Sequence, residues 1–322
     1  MVYTNDSKSF ASRLVGSSPT SSTMKRLPKI LVVLGPTATG KSDLAVLLAR
    51  KFDGEVVSAD SRQVYRGLDV GSGKVTKREM HGVNHHMLDI ENPKRVYNVE
   101  QYRKDAKSSI VNILSRGKLP IVCGGTGFYI DTLIHDEQFP NVAPNKTLRT
   151  NLAKKSVESL MKMLVKLDPK RAKTIDPKNK VRIIRSIEIA QTLGSVPKVK
   201  RKKNYDVLWI GLDLPRAELR KKIHARLVRR MRGDRIVAET KKLHKAGVSW
   251  KRLYEFGLEY RHAGLYLQNK LNKTEMLEKL ENQIVDFSKR QMTWFGRNKN
   301  INWFAPKETK KITIFSSRFL KK

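Results

Sequence analysis

Residues 30 to 42 read ILVVLGPTATGKS, an apolar run closed by Gly35-Pro36-Thr37-Ala38-Thr39-Gly40-Lys41-Ser42. Few short segments constrain a fold so tightly. The spacing G-x-x-x-x-G-K-S cradles phosphate only when a strand feeds the loop and a helix leaves it. Both flanks are present: Ile30 to Leu34 is apolar and β-branched, and Asp43 to Lys51 carries apolar residues at helical spacing. Gly35 and Gly40 let the backbone wrap so that N–H groups point inward. Lys41 adds a mobile positive charge, Ser42 offers a hydroxyl to Mg²⁺, and the helix N-terminus adds its dipole. A ligand-free glycine turn is the bland alternative, and the four fixed positions with correct flanks argue against it. The segment binds a di- or triphosphate.

The elements that follow keep alternating. Glu55 to Ser58 reads as a second strand ending at Ala59-Asp60-Ser61-Arg62-Gln63. Asn98 caps a helix through Arg116, whose buried face is Val99, Tyr102, Ala106, Ile110 and Ile113-Leu114. Gly117 stops it, and Leu119 to Val122 is the next strand, running into Cys123-Gly124-Gly125-Thr126-Gly127. Such alternation predicts an α/β fold, a parallel sheet flanked by crossover helices. The phosphate loop, Asp60 and Thr126 all fall at carboxyl ends of strands, where open α/β sheets bind ligands.

Residues 140–204 break the alternation with two helical patterns, Thr147 to Lys166 and Asn179 to Leu193, and are expected to form a helical insertion domain. The chain returns to the sheet through Val207 to Ile210. From Pro215 to about Gly296 it is helical and basic, completing a core made of residues 27–139 and 205–304. In the tail, residues 305–322, Lys311 to Phe315 reads as a strand. Residues 1–26 are Ser/Thr-rich without the apolar core of a signal peptide, and are expected to be a disordered extension or a start placed too far upstream.

Charge carries the next inference. Lys plus Arg number 66 against 30 Asp plus Glu, a net +36 over 322 residues. A small phosphate ester needs no such excess, whereas a polyanionic partner accounts for it. The single cysteine, Cys123, excludes an internal disulfide and a cysteine-based zinc site, and it reads as a small core hydrophobe. No apolar stretch is long enough to span a membrane, so a cytoplasmic protein is expected.

Together these segments closely resemble one family from about Lys29 to Phe304: tRNA dimethylallyltransferases of the bacterial type. The resemblance rests on GPTATGKS, SADSRQVYRGLDVGSGK (58–74), HHMLDI (85–90), GGTGFY (124–129), NKVRIIRSIEI (179–189), GLEYR (257–261) and KRQMTWF (289–295). It implies a P-loop NTPase-like core whose loop, Gly35 to Ser42, holds the diphosphate of dimethylallyl diphosphate and not ATP. The prenyl group would move to N6 of the adenosine beside the anticodon, with Mg²⁺ on Ser42.

Lys41 is implied to stabilise the leaving diphosphate, Asp60 to accept the N6 proton, and Thr126 to stand beside them. Ser61, Arg62 and Gln63 would line the extruded base. Arg149, Arg182, Arg185, Lys289, Arg290 and Gln291 would meet the tRNA anticodon stem-loop, and a monomer is expected. From spacing alone other readings stay open. Asp60 could ligate Mg²⁺ or cap a helix, Thr126 could cap a turn, and Arg182 and Arg185, three apart, could form a solvated face. Trp294 reads better as core than as a base platform, and His81, His85 and His86 lack the spacing of a metal site.

Two positions depart from the family pattern: Asn84 where a proline often stands, and Lys222 where arginine is common. The lysine replaces a bidentate fork with a point charge. Three alternatives are a P-loop kinase or ATPase, a non-catalytic RNA-binding protein, and an adenylate isopentenyltransferase acting on AMP, ADP or ATP. The basic helical half and KRQMTWF favour tRNA over all three.

Overall fold

The computed structural model describes residues 26–322, so the reading of residues 1–25 lies outside the described residues. The chain runs β1 (Lys29–Leu34), α1 (Lys41–Lys51), β2 (Gly54–Ala59), α2 (Lys77–Met80), β3 (His85–His86), α3 (Val99–Ser115), β4 (Leu119–Gly124) and α4 (Gly127–Ile134). Next come α5 (Lys146–Ala153), α6 (Val157–Leu167), α7 (Pro169–Thr174), α8 (Lys180–Leu193) and β5 (Asp206–Leu212). The last part is α9 (Arg216–Met231), α10 (Arg235–Lys245), α11 (Trp250–Phe256), α12 (Leu258–Leu267), α13 (Lys273–Phe295), β6 (Asn302–Phe304) and α14 (Thr309–Lys321).

The six strands form one parallel sheet in the order β3-β2-β4-β1-β5-β6. Side chains alternate across it, because the period of a strand is two. Ile30, Val32, Leu34, Val57 and Val122 pack beneath α3, α4, α11 and α12, whereas Leu31, Val33, Val56, Ile121 and Ile210 pack beneath α1 and α14. Both faces are therefore dry, which is why β1 and β4 read as unbroken apolar runs. Each such side chain, fully buried, contributes roughly 1.5–3 kcal/mol.

The C-terminal strand expected over Lys311 to Phe315 is instead part of α14. Alternation would put Ile312 and Ile314 on one face, yet Ile312 is 0% exposed and Ile314 55%. The operative pattern is Ile312, Phe315 and Phe319, helical in spacing, docking on the sheet beside Leu31 and Ile210. The sheet edge is taken by Asn302–Phe304.

In the insertion, the helix expected over Thr147 to Lys166 is two. α5 stops at Ala153, and the Ser156 hydroxyl accepts from Ser159 N at 3.2 Å to start α6, the usual behaviour of an N-cap serine. Leu152, Leu160, Leu164, Ile183, Ile184 and Ile187 form a core of their own. The segment leaves and re-enters the main body through a two-chain neck, where Lys202 N donates to His135 O (2.8 Å) and Gln138 N to Lys200 O (3.4 Å). No helix among the described residues is long and apolar enough to cross a membrane.

Candidate active site

The phosphate loop forms where β1 ends. Gly35 has φ 138°, and a Cβ there would lie 2.3 Å from Leu212 O, so glycine is required on both counts. Gly40 is left-handed and opens α1. Thr39 Oγ1 donates to Pro36 O (2.9 Å), as does Lys41 Nζ (2.7 Å). Burial, with a smaller contribution from Arg226, pulls the Lys41 ammonium down to about 8, although the residue as a whole is only half-buried. The loop from Thr37 to Ser42 lines a cleft of about 640 Å³. The Ser42 hydroxyl has no protein partner among the described residues.

One amide of this loop is already spent. Thr37 N donates to Gln291 Oε1 (2.9 Å), and Gln291 Nε2 donates to Gly125 O (2.9 Å). Gln291 is only 6% exposed; it lines the cleft and is at the same time a strut tying α13 to two strand ends. A buried amide satisfied at both ends is worth keeping because its loss would strand two backbone groups. Trp294, one turn on, donates from Nε1 to Asp131 Oδ2 (2.8 Å) and packs against the sheet core. Lys289 pairs with Asp286 at 2.9 Å and Arg290 lies over the Phe287 ring; both are exposed, and neither lines the cleft.

At the end of β2, Asp60 Oδ1 accepts from Arg62 N (2.8 Å) and Gln63 N (3.3 Å), closing a turn; no helix starts here, so Asp60 is not a helix cap. Asp60 Oδ2 has no protein partner among the described residues, and Asp60 lines the cleft. Thr126 Oγ1 accepts from Ser61 N (3.1 Å), stitching the β2 end to the β4 end. Gln63 faces the cleft, but Arg62 does not. Its Nε donates to Phe256 O (2.6 Å), closing the C-terminus of α11, where carbonyls lack intrahelical donors. The expectation that the Arg62 guanidinium lines a base is corrected accordingly.

Across the cleft stands α9. Leu219, Ile223, Leu227 and Met231 bury one face of this helix, and Lys222, Arg226 and Arg229 line the cleft from the other. Arg226 Nη1 donates to Thr37 Oγ1 (3.0 Å) and Nη2 approaches Gly73 O (3.5 Å). Only Lys222 was singled out from sequence. Arg226 was missed, although its spacing of four from Lys222 was a usable signal.

The insertion arginines behave differently. Arg149 donates from Nε and Nη2 to the Glu188 carboxylate (3.0 and 2.6 Å), Arg185 Nη1 donates to the same group, and Arg185 Nη2 holds Val142 O (2.8 Å). Glu188 is 1% exposed. Burial alone would raise its pKa, but both arginines and the Asn145 N–H overcome it and hold the carboxyl down to about 2. Arg182, in contrast, is exposed and has no side-chain partner among the described residues. Of the two, only Arg182 is without a side-chain partner among the described residues; Arg185 stays partly exposed while bonded to Glu188. His86 Nε2 meets Glu55 (2.7 Å), itself gripped by Arg116, while His85 lines the cleft. Among the described residues no cluster of three or more His, Cys, Asp or Glu is arranged to hold a metal ion.

The IPP transferase family model matches residues 63–299. The tRNA dimethylallyltransferase of Pelotomaculum thermopropionicum is 41% identical over 291 residues, 88% of this chain and 92% of that one. The tRNA dimethylallyltransferase 2 of Treponema denticola is 43% identical over 283 residues, 85% of this chain and 94% of that one. The full-length tRNA isopentenylpyrophosphate transferase of Bacillus halodurans superposes with a TM-score of 0.70 at 33% identity, covering 91% of this chain and 97% of that one.

Proposed function

This chain belongs to the IPP transferase family, and on that premise we propose that it moves the dimethylallyl group of dimethylallyl diphosphate to N6 of the adenosine next to the anticodon of tRNA, in the cytoplasm. One observation carries the reading. A single cleft is lined by the phosphate loop with Lys41, by Lys222 and Arg226 of α9, and by Asp60, which keeps one carboxylate oxygen free of protein partners among the described residues.

The reaction breaks the C1–O bond of the donor and forms a C1–N6 bond. Negative charge grows on the diphosphate, and Lys41, Arg226 and the N-terminus of α1 line the cleft that would receive it. Preorganised groups of this kind each typically contribute about 10²–10³ in rate. An exocyclic amine is a poor nucleophile, since its lone pair is delocalised into the ring. Asp60 Oδ2 accepts its hydrogen bond and then its proton, while the two N–H bonds to Oδ1 fix the carboxylate plane. Thr126 holds the Asp60 turn through Ser61 N. The target base must leave the stack to reach Asp60.

Mg²⁺ fits the donor set. The Ser42 hydroxyl is unpartnered at the mouth of the loop, and a magnesium ion commonly takes one or two protein oxygens and completes its shell with phosphates and water. When bound, it would share the diphosphate charge with Lys41. The net +36 and the exposed cations of α8, α9 and α13 serve the anticodon stem-loop phosphates.

The test is transfer of labelled prenyl from dimethylallyl diphosphate to unmodified tRNA with Mg²⁺, beside AMP as acceptor and γ-labelled ATP. Label in tRNA alone, lost in Asp60→Asn, is expected. Label in AMP, or ATP turnover without transfer, would overturn the reading.

A further inference from the structure

The segment from Leu68 to Lys74 reads LDVGSGK and forms one wall of the cleft through Ser72 and Gly73. It belongs to no helix or strand, yet its amides are fully occupied from behind. Glu239 on α10 accepts from three consecutive N–H groups: Asp69 (3.1 Å) and Val70 (2.7 Å) on Oε2, and Gly71 (2.9 Å) on Oε1. The Tyr260 hydroxyl on α12 donates to Glu239 Oε1 (2.8 Å) and accepts from the fourth amide, Ser72 N (3.1 Å). Burial, then Glu239 beside it, pushes this phenol well above its usual range, so it remains a donor. Arg230 on α9 grips the same turn by its carbonyls, Val70 O (2.6 Å) and Gly71 O, and is anchored by Glu259 (3.0 Å). A row of amides that could have cradled an external anion is filled by the protein's own carboxylate.

The strap matters because of what leaves it. Gly73, left-handed at φ +62°, points its carbonyl at Arg226 Nη2 (3.5 Å) and Gln63 Nε2 (3.4 Å). A Cβ at Gly73 would lie 2.0 Å from Arg226 Nη2, so the guanidinium is packed directly on this turn. The other end of Arg226 reaches Thr37 in the phosphate loop. Neither Glu239 nor Tyr260 lines the cleft.

We propose that Glu239 is a positioning residue for the diphosphate site: it fixes residues 69–72, and through the Gly73 carbonyl it sets the orientation of Arg226 against the phosphate loop. This rests on the reading of the cleft as a diphosphate site. Donor affinity then depends on a carboxylate that never meets the donor. Glutamine is a sharp probe of the strap. It matches glutamate in size but turns one of two acceptor oxygens into an NH₂ group facing donors.

The experiment is a double-mutant cycle on Glu239→Gln and Arg226→Ala, read by calorimetric affinity for inorganic diphosphate with Mg²⁺, by melting temperature and by affinity for tRNA. In Glu239→Gln, diphosphate affinity is expected to fall about tenfold, with tRNA affinity unchanged and melting within a few degrees of wild type. In the Arg226→Ala background, Glu239→Gln should add nothing, since its effect passes through the missing guanidinium. Should Glu239→Gln not fold, Tyr260→Phe removes one strap hydroxyl, and a fall of about threefold in diphosphate affinity is expected. Unchanged diphosphate affinity in a folded strap variant, or additive losses in the cycle, overturns the proposal. A wild type that binds diphosphate but transfers no prenyl group sinks the reaction proposed above, while the cycle still decides the coupling.

Discussion

The cleft and the insertion both gather arginines, and the two sets do opposite work. Arg149 and Arg185 are spent on Glu188, a carboxylate 1% exposed; Asn145 N donates to the same carboxylate and Arg185 to Val142 O, which holds the loop before α5 against α8. Lys41 and Arg226 both line the cleft with no acid bonded to either; their partners are two carbonyls and a hydroxyl. One site stabilises a fold by neutralising its cations. The other concentrates uncompensated charge, which favours an anionic ligand. Residue type does not separate the two, but the presence of a buried carboxylate does.

The strongest way to break this contrast is Lys41→Ala. It should lower prenyl transfer about 10²–10³-fold with little change in urea midpoint, because a preorganised charge is lost and no fold contact of weight goes with it. A large loss of stability with unchanged kcat would put Lys41 in the structural class.

Glu188→Ala is the mirror experiment. Only the carboxylate of this cluster is buried, and both arginines reach water. The loss should therefore stay below the cost of breaking a fully buried pair, at about 1–3 kcal/mol read in urea unfolding, and prenyl transfer by the folded fraction should persist. Acid gives the same information without mutation. Glu188 is held down to about 2 against an ordinary 4.5, so its stabilisation is complete above about 4.5 and is lost as pH falls toward 2. Glu188→Gln should flatten that part of the acid profile.

Alkali probes the cleft. The ammonium of Lys41 sits near 8 in the free protein, and a bound diphosphate would raise it, so binding takes up a proton above that pH. Diphosphate affinity is then flat just below pH 8 and falls by up to about tenfold per unit above it. Lys41→Ala should lose that decline, measured calorimetrically at fixed Mg²⁺. A decline that survives the substitution would assign the proton to another group.

The smallest effects sort the insertion arginines. Arg182→Ala should weaken tRNA binding about two- to threefold and reduce the log–log salt slope by about 0.7–0.9, with melting unchanged. Arg185→Ala should lower stability and keep the wild-type slope. A reduced slope there would mean that the Glu188 pair opens on tRNA, and the comparison would need redrawing.

Much of the cleft was legible because its parts are local. The phosphate loop is defined by eight consecutive residues, and Asp60 and Thr126 announce themselves as polar residues just past apolar strands. Arg62 and Gln291 misled for one reason: each side chain is consumed by a backbone group nearly 200 residues or more away, Phe256 O and Thr37 N, which no local spacing reveals. Lys311 to Phe315 misled differently. Its alternation covers five residues, too few to outvote a helical pattern extending to Phe319.

From the sequence alone came the glycine-rich strand–loop–helix, the parallel α/β sheet, the large positive charge and, through its motifs, the family. These follow from turn geometry, periodicity and composition, which are properties of neighbours along the chain. Only the tertiary structure decided which cations are free, that Gln291 is a strut, and that Arg226 joins Lys41 in lining the cleft. Those outcomes turn on burial and on which acid or carbonyl lies within about 3 Å after folding, where desolvation makes pairing decisive.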